Sequence, residues 1–236
     1  MSKAKRFYEA VALAPAEGGF ALLLDGRPVK TPARAAFVVP AAALADAVAD
    51  EWRAQGEHID PASMPLTQHI NAGLDRIAPN RDQVLDELVR YAETDQCCYR
   101  ADEPEELVAR QAAAWDPLLA WAKDAYGFEL AVTSGIMPVE QPQATLARAR
   151  ATLVPMQECA LSALHTVTAI SGSLIMGLAA RDQHLDGAGV FQAAMVDELY
   201  QVEQWGADDE ADERRAHLKE GLNSACALFS LLKSDA

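Results

Sequence analysis

The chain has 236 residues, of which 50% are hydrophobic and 23% are charged, a composition that supports one or two domains with a sizeable core and excludes a disordered chain. Its formal net charge of -15 argues against nucleic-acid binding, because displacing the counterions of a phosphate backbone requires a basic face. The same charge disfavours binding to anionic membrane surfaces.

The charge is unevenly distributed along the chain. Residues 1–40 carry six basic and three acidic side chains, a net charge of +3, whereas the remaining residues carry 14 basic and 32 acidic side chains, a net charge of -18. Charge asymmetry of this kind favours attraction between the two parts or attraction of the acidic part to a basic partner.

The first 40 residues have the alternation and turn residues of a small antiparallel sheet. Strands are predicted at residues 6–13, 20–24, 29–32 and 36–39, with a turn at Asp25 and Gly26. Helical periodicity then predicts helices near 41–55, 66–78, 81–94, 104–126, 142–153, 155–181, 187–204 and 209–232, and a short strand at 128–133. Pro117 is expected to kink or split the helix that contains it. The pattern predicts an α+β fold, with a small N-terminal antiparallel β-containing domain at 1–100 and a mostly α-helical domain at 101–236.

Residues 159–180 contain no Asp, Glu, Lys or Arg, so their length is compatible with a membrane span. Six Ser, Thr and His residues dilute the segment, and a central helix of a bundle explains it better. The four cysteines, Cys97, Cys98, Cys159 and Cys226, show neither zinc-ligand spacing nor a disulfide framework, which favours a reducing compartment. The N-terminus is too short and polar for a signal peptide.

Searches for catalytic motifs find no phosphate-binding glycine loop, no nucleophile elbow and no metal-ligand spacing. We therefore predict no cofactor and no metal. An alternative remains in which the chain is a small-molecule enzyme that uses Asp95 with Cys98, or Glu198 with a histidine. Cys98 would need a nearby base or cation to lower its pKa before it could act as a nucleophile.

Glu198 is the most informative single residue, because it is centred on an apolar helical stripe. The stripe consists of Phe191, Met195, Leu199, Val202 and Trp205. An unpaired buried charge is costly, so Glu198 must pair inside the fold, for example with an arginine on a neighbouring helix, or the stripe must meet another molecule. Acidic residues follow, and Asp208 is a candidate N-cap for the last helix.

Several short motifs, in order, resemble one protein family. They are DGRPVKTP at 25–32, EWRAQ at 51–55, MPLT at 64–67, YAETD at 91–95, CYR at 98–100, Gln111 followed by WDPLL at 115–119, and WG at 205–206 with its acidic continuation. In this combination the chain resembles the assembly chaperones for the alpha subunit of the F-type ATP synthase, which occur in mitochondria and alphaproteobacteria. The resemblance extends from about residue 6 to residue 232.

The resemblance implies a non-enzymatic protein that binds the unassembled alpha subunit, prevents its aggregation and yields to the beta subunit. It also implies a β-containing N-terminal domain, a helical C-terminal domain and a functional glutamate in the penultimate helix, for which Glu198 is the best match. We expect partner binding at Glu198, Phe191, Met195, Val202, Trp205, Asp208 and Glu210. We further expect a chain that is monomeric when free and is not inserted into membranes. It is expected in the bacterial cytoplasm, or in the mitochondrial matrix if it is a processed eukaryotic form.

Overall fold

The computed structural model describes residues 4–135, 137–206 and 208–234. The chain forms two compact units, of which the first contains Met1–Arg81, Gln157–Ala163 and Ala227–Ala236, and the second contains Asp82–Met156 and Leu164–Cys226. The predicted α+β class is confirmed, because a small antiparallel sheet precedes a long series of helices. Residues 82–100 belong to the second compact unit, and the domain boundary at residue 100 stays a prediction.

The sheet of the first unit is organised around its second strand. The strands are β1 (Val11–Ala16), β2 (Gly19–Leu24), β3 (Arg27–Pro28) and β4 (Val38–Val39). β2 pairs antiparallel with β1 on one side and with β3 and β4 on the other. The backbone of Gly19 approaches β4 so closely that a Cβ atom there would lie 2.1 Å from the Val39 carbonyl oxygen, which explains why glycine occupies this position. The first strand begins later than predicted, because the Arg6 backbone N–H bonds to the Glu57 carbonyl oxygen at 2.8 Å.

This unit contains two whole helices, α1 (Ala42–Arg53) and α2 (Pro65–Ala72), and α1 packs against both the sheet and α2. Short helical turns follow at Pro61–Ser63, Gly73–Ile77 and Ala78–Asn80. The apolar faces of sheet and helices meet in a core formed by Leu22, Phe37, Val39, Leu44, Val48 and Ile70. This burial holds the small sheet together, since two or three short strands alone are marginally stable.

The second unit is built from helices. The helices that lie wholly or mostly in it are α3 (Arg81–Glu93), α4 (Glu105–Tyr126), α5 (Gln143–Leu153), α6 (Glu158–Ser171), α7 (Leu174–Arg181), α8 (Gly187–Ala194), α9 (Val196–Trp205) and α10 (Asp209–Lys233). The beginning of α6, up to Ala163, and the end of α10, from Ala227, belong to the first unit. A short parallel pair, β5 (Tyr99–Arg100) with β6 (Thr133–Ser134), and a helical turn at Gln96–Cys98 accompany them. α4 packs against α5, α7, α8 and α9, so it is the central helix of this unit.

α4 continues through Pro117, so of the two predicted effects the split is wrong, and a kink at this residue stays a prediction. A proline inside a helix removes one backbone hydrogen bond. Trp115 and Leu118, on either side of Pro117, are buried in the unit, and this packing stabilises the helix across the defect.

The segment predicted as one helix over 155–181 forms two helices, α6 and α7. Gly172 has a φ of +63°, in the left-handed region that ends helices, and α6 ends at the preceding residue, Ser171. The Ser173 hydroxyl accepts a hydrogen bond from the Met176 N–H at 3.1 Å and begins α7. Residues 174–180 are all buried, which confirms their place in a bundle core, and no described helix is long and apolar enough to cross a bilayer.

Candidate partner-binding surface

The predicted helix over 187–204 is also two helices, and this changes the geometry of the apolar stripe. Met195, with φ -102° and ψ 17°, separates α8 from α9. Phe191 and Met195 are 8% and 7% exposed, so they pack inside the second unit. Val202 is half-buried and Trp205 is 78% exposed. The stripe therefore runs from a buried end on α8 to an open end on α9, and contact of Phe191 and Met195 with a partner stays a prediction.

Glu198 is paired inside the fold with arginines, as the first of the two predicted alternatives required. Its Oε2 accepts from an Arg214 guanidinium nitrogen at 2.7 Å, and its Oε1 accepts from Arg215 at 2.8 Å. Arg215, whose side chain is 8% exposed, also bonds to Asp212. Burial raises the pKa of Glu198, but the hydrogen bonds from Arg215 and Arg214 outweigh it and hold the pKa below its ordinary range. The carboxylate is charged at neutral pH and joins α9 to α10.

α9 is also fastened to α4. The Gln111 amide donates to Asp197 Oδ1 at 2.7 Å, and Arg110 bonds to Glu203 at 2.7 Å while it bonds to Glu106 at 2.8 Å. The Arg110 guanidinium also lies 5.2 Å from the centre of the Tyr200 ring. These contacts fix the direction in which α9 projects its exposed side chains.

Sequence reasoning allowed an arginine partner for Glu198 but did not identify the three arginines that organise this surface, Arg110, Arg214 and Arg215. The spacing of Glu106 and Arg110, four residues apart on one helix, was a readable signal for a local ion pair. The pairing of Glu198 with Arg214 and Arg215 depends on how α10 packs against α9, and the linear pattern does not specify that packing.

The open end of α9 combines an aromatic side chain with acidic residues. Asp208 and Glu210 are exposed, as is Trp205. The Glu210 N–H bonds to Asp208 Oδ1 at 3.3 Å, which confirms Asp208 as the N-cap of α10. We call Glu198, Val202, Trp205, Asp208 and Glu210 the α9 surface. An exposed tryptophan beside carboxylates can supply an apolar anchor within a charged rim, as interfaces between proteins do.

The residues of the enzyme alternative are placed differently from a catalytic pair. Asp95 is fully buried, and its two oxygens accept from the Cys97 N–H at 3.0 Å and the Ile175 N–H at 3.1 Å. Burial raises the pKa of the Cys98 thiol to about 12, which disfavours the thiolate that a nucleophile needs. Within the described parts of the chain, Glu198 has hydrogen bonds to arginines and none to a histidine, and no group of three His, Cys, Asp or Glu residues is placed to hold a metal ion.

Motifs that carry the family resemblance lie at structural junctions. Glu51, from EWRAQ, accepts from the Leu66 N–H at 2.7 Å and the Thr67 N–H at 2.8 Å, so it caps the start of α2 in MPLT. Burial raises the pKa of Glu51, and the hydrogen bonds from Thr67 and Leu66 oppose this shift. Trp115, from WDPLL, donates its indole N–H to the Ala193 carbonyl oxygen at 2.8 Å. Glu51 therefore stabilises the first unit, whereas Trp115 connects α4 to the end of α8 in the second unit.

Comparison with known proteins gives concordant results. The family model described as ATP12 chaperone protein matches residues 5–123. The mitochondrial protein atp12 of Schizosaccharomyces pombe is 25% identical over an alignment of 237 positions, which spans 95% of this chain and 81% of the yeast protein. The crystal structure of Atp12 from Paracoccus denitrificans is 39% identical and superposes with a TM-score of 0.93 over 97% of this chain and 98% of that one. A solved structure from Agrobacterium tumefaciens is 41% identical, with a TM-score of 0.91 over 97% of this chain and 86% of that one. The chain therefore belongs to the ATP12 chaperone family.

Proposed function

We propose that this protein binds the unassembled alpha subunit of the F-type ATP synthase and prevents its aggregation until the beta subunit replaces it. The observation that carries the proposal is membership of the ATP12 chaperone family, with structural similarity to Atp12 over 97% of the chain. The alpha subunit is the client that the motif resemblance implies. The activity requires no nucleotide, metal or other cofactor, and it belongs in the bacterial cytoplasm or, for a processed eukaryotic form, in the mitochondrial matrix.

The α9 surface is the contact that we propose for the client. Trp205, at 78% exposure, supplies apolar area without a large loss of side-chain entropy, and tryptophan is enriched among the residues that dominate binding energy. Asp208 and Glu210, which follow it closely in the chain, are exposed and add negative charge. Charges at the rim of an interface raise the association rate and contribute less to affinity.

This combination suits a partner that must be released. An unassembled subunit exposes an apolar interface that aggregates unless it is covered. A chaperone must bind that interface more favourably than aggregation does, yet less favourably than the final partner. One exposed aromatic residue within an acidic rim forms a smaller apolar contact than the obligate interface that replaces it.

The direct test is light scattering during refolding of isolated alpha subunit with an equimolar amount of this protein, in EDTA and without nucleotide. We expect scattering to fall well below that of an inert acidic protein of similar size. Subsequent addition of beta subunit should displace the chaperone, as measured by size-exclusion chromatography of the mixture. Scattering equal to that of the inert control, at both low and physiological salt, would contradict the proposal.

The salt dependence separates the two parts of the proposed contact. The acidic rim should make association faster at low salt, because its attraction is screened beyond about 10 Å at 0.1 M ionic strength. The apolar contribution of Trp205 should persist at high salt. Stopped-flow measurement of the association rate at several salt concentrations would show both contributions.

A further inference from the structure

A cleft in the first unit combines aromatic and basic side chains and is separate from the residues of the α9 surface. It has a volume of 530 Å³ and lies between the N-terminal segment, the turn from β2 to β3 and α1. Its walls include the aromatic residues Phe7, Tyr8 and Trp52 and the cations Arg27 and Lys30. The volume falls in the range of about 300–1,000 Å³ that is usual for ligand pockets.

The aromatic wall is continuous and partly open to solvent. The Phe7 ring meets the Tyr8 ring edge-on with centroids 5.4 Å apart, and the Tyr8 ring lies 5.7 Å from that of Trp52. Phe7 is 72% exposed, although it is a large apolar side chain. The indole N–H of Trp52 is buried and has no hydrogen-bond partner among the described residues. A row of aromatic rings that ends in an exposed phenylalanine presents apolar area for another molecule.

The cations of the cleft are available for an incoming anion. Asp25 is the acidic residue that lines the cleft, and its Oδ1 accepts from the Ala10 N–H at 2.8 Å. Hydrogen bonds from the Ala10 and Glu9 backbones lower the pKa of Asp25, so its charge stabilises the strand connection. Arg27 and Lys30 are exposed and form no salt bridge with any described residue, although the charge of Arg27 contributes to lowering the pKa of Asp25. The two cations outnumber the one carboxylate of the cleft, in a chain of net charge -15.

We propose that this cleft binds an acidic segment of the client polypeptide that places one apolar or aromatic side chain against Phe7 and Trp52. The proposal rests on the chaperone function proposed above, because it takes the ligand to be part of the client. Carboxylates that flank the inserted side chain pair with Arg27 and Lys30. β3 ends at Pro28, which has no N–H, so recognition through side chains is favoured over addition of a strand to this edge.

Peptide titrations of the full-length protein, labelled with ¹⁵N, test the cleft without the alpha subunit. The probes are capped pentapeptides of sequence Glu-Asp-Phe-Asp-Glu, Glu-Asp-Ser-Asp-Glu and Lys-Lys-Phe-Lys-Lys. We expect the acidic phenylalanine peptide to shift the Trp52 indole resonance and the amides of Phe7 and Lys30. We expect the serine and lysine peptides to bind at least fivefold more weakly. Equal affinity of the serine peptide, tighter binding of the lysine peptide or shifts confined to other residues would overturn the proposal.

Variants provide the second arm. The double variant Arg27→Glu/Lys30→Glu should weaken binding of the acidic phenylalanine peptide about tenfold, and Phe7→Ser should weaken it severalfold while leaving all charges in place. The matched control, Arg34→Glu/Arg76→Glu, makes the same change in net charge at two exposed arginines that do not line the cleft. Equal weakening by the control and the cleft variant would show a general charge effect and overturn the site.

The aggregation assay then links the cleft to the client. If wild-type protein protects the alpha subunit, Arg27→Glu/Lys30→Glu should need about fivefold more protein than the control variant for half-maximal protection. Equal potency of the two variants would overturn the cleft while leaving the chaperone function intact. Failure of the wild-type protein in that assay would instead count against the proposed function, and the peptide titration would still report on the acidic ligand of the cleft. Self-association that is lost in the cleft variant would assign the cleft to a second copy of this chain and overturn a client site.

Discussion

Asp95 and Glu198 are carboxylates of the same helical unit in opposite surroundings. Asp95 is fully buried and accepts backbone N–H groups, and burial raises its pKa above the ordinary value of 3.8 despite those hydrogen bonds. Glu198 has a side chain that is 26% exposed; burial raises its pKa too, but bonds from Arg215 and Arg214 bring it below 4.5. The first carboxylate is committed to the fold, whereas the second stabilises two helices and remains accessible at a surface. Accessibility and charged partners together distinguish a candidate contact residue from a structural one.

The largest effect on stability should come from a carboxylate that is buried in the core without the hydrogen-bond donors that Asp95 has. Leu174 begins α7 and is fully buried. Leu174→Asp should lower the free energy of unfolding by about 3–5 kcal/mol, because the new carboxylate is buried and unpaired. Urea denaturation followed by circular dichroism measures the change. The control Leu174→Met conserves volume and should lower the free energy of unfolding by less than about 1.5 kcal/mol. If both variants lose a similar amount of stability, altered packing and not the buried charge is responsible.

Asp95→Asn should lower the free energy of unfolding by about 1–3 kcal/mol at neutral pH. Each of the two Asp95 oxygens accepts a backbone N–H, whereas the asparagine amide has only one oxygen to accept them. The pH dependence follows from the raised pKa of Asp95. Between the unfolded and the folded pKa, the folded state binds more protons, so wild-type stability increases as pH falls through this window. The stability difference between wild type and Asp95→Asn should therefore widen as pH falls towards 3.8. A difference that narrows on acidification would contradict the assignment.

Glu198→Gln should show the opposite pH dependence. The pKa of Glu198 is lowered, so its stabilising contribution is complete above the unfolded pKa near 4.5 and is lost as pH falls through the folded pKa. At neutral pH we expect the free energy of unfolding to fall by about 1–2 kcal/mol. The loss is limited because Arg215 keeps Asp212 as a partner. The control Glu220→Gln, at an exposed residue, should change stability by less than about 0.5 kcal/mol. A Glu198→Gln variant of unchanged stability would show that the two arginines do not depend on this carboxylate.

The elements whose signals are local could be predicted from the sequence. The antiparallel sheet, α1, α3 and α5 follow from alternation, periodicity and nearby turn residues. The break at Met195 could not be predicted in the same way. The Ala194 carbonyl oxygen at the end of α8 accepts from the Gln96 amide at 2.9 Å, and the Gln96 N–H bonds to the Gly172 carbonyl oxygen at 3.0 Å. Gln96, about 75 to 100 positions away in the chain, thus contacts both the break after α6 and the break after α8. The periodicity of a single segment does not reveal such a distant contact.

The residues of the candidate site could also be predicted only where the signal was local. The unusual place of Glu198 in an apolar stripe drew attention to α9, whose role in binding stays a prediction. Asp208 was recognised as a cap from its position before a helix. The burial of Phe191 and Met195 required knowledge of the break at residue 195, because a continuous helix would place all stripe residues on one face. The motifs DGRPVKTP and EWRAQ supply much of the lining of the cleft near Phe7, but the sequence did not show that they form a cleft, because its walls come from three separate segments.

The smallest effect on stability should come from substitution of Trp205. This substitution separates an effect on binding from an effect on folding more clearly than the others do. Because its side chain is 78% exposed, Trp205→Ser should change the free energy of unfolding by less than about 0.5 kcal/mol. If the α9 surface binds the alpha subunit, the same variant should weaken that binding about tenfold or more, the range expected when an aromatic anchor is removed. Met137→Ser removes another exposed apolar side chain of the second unit and should leave both quantities unchanged. Surface plasmon resonance with captured alpha subunit measures the binding, and thermal unfolding measures the stability. Equal binding by wild type and Trp205→Ser would exclude the open end of α9 as an anchor and would move the search for the client contact to the first unit.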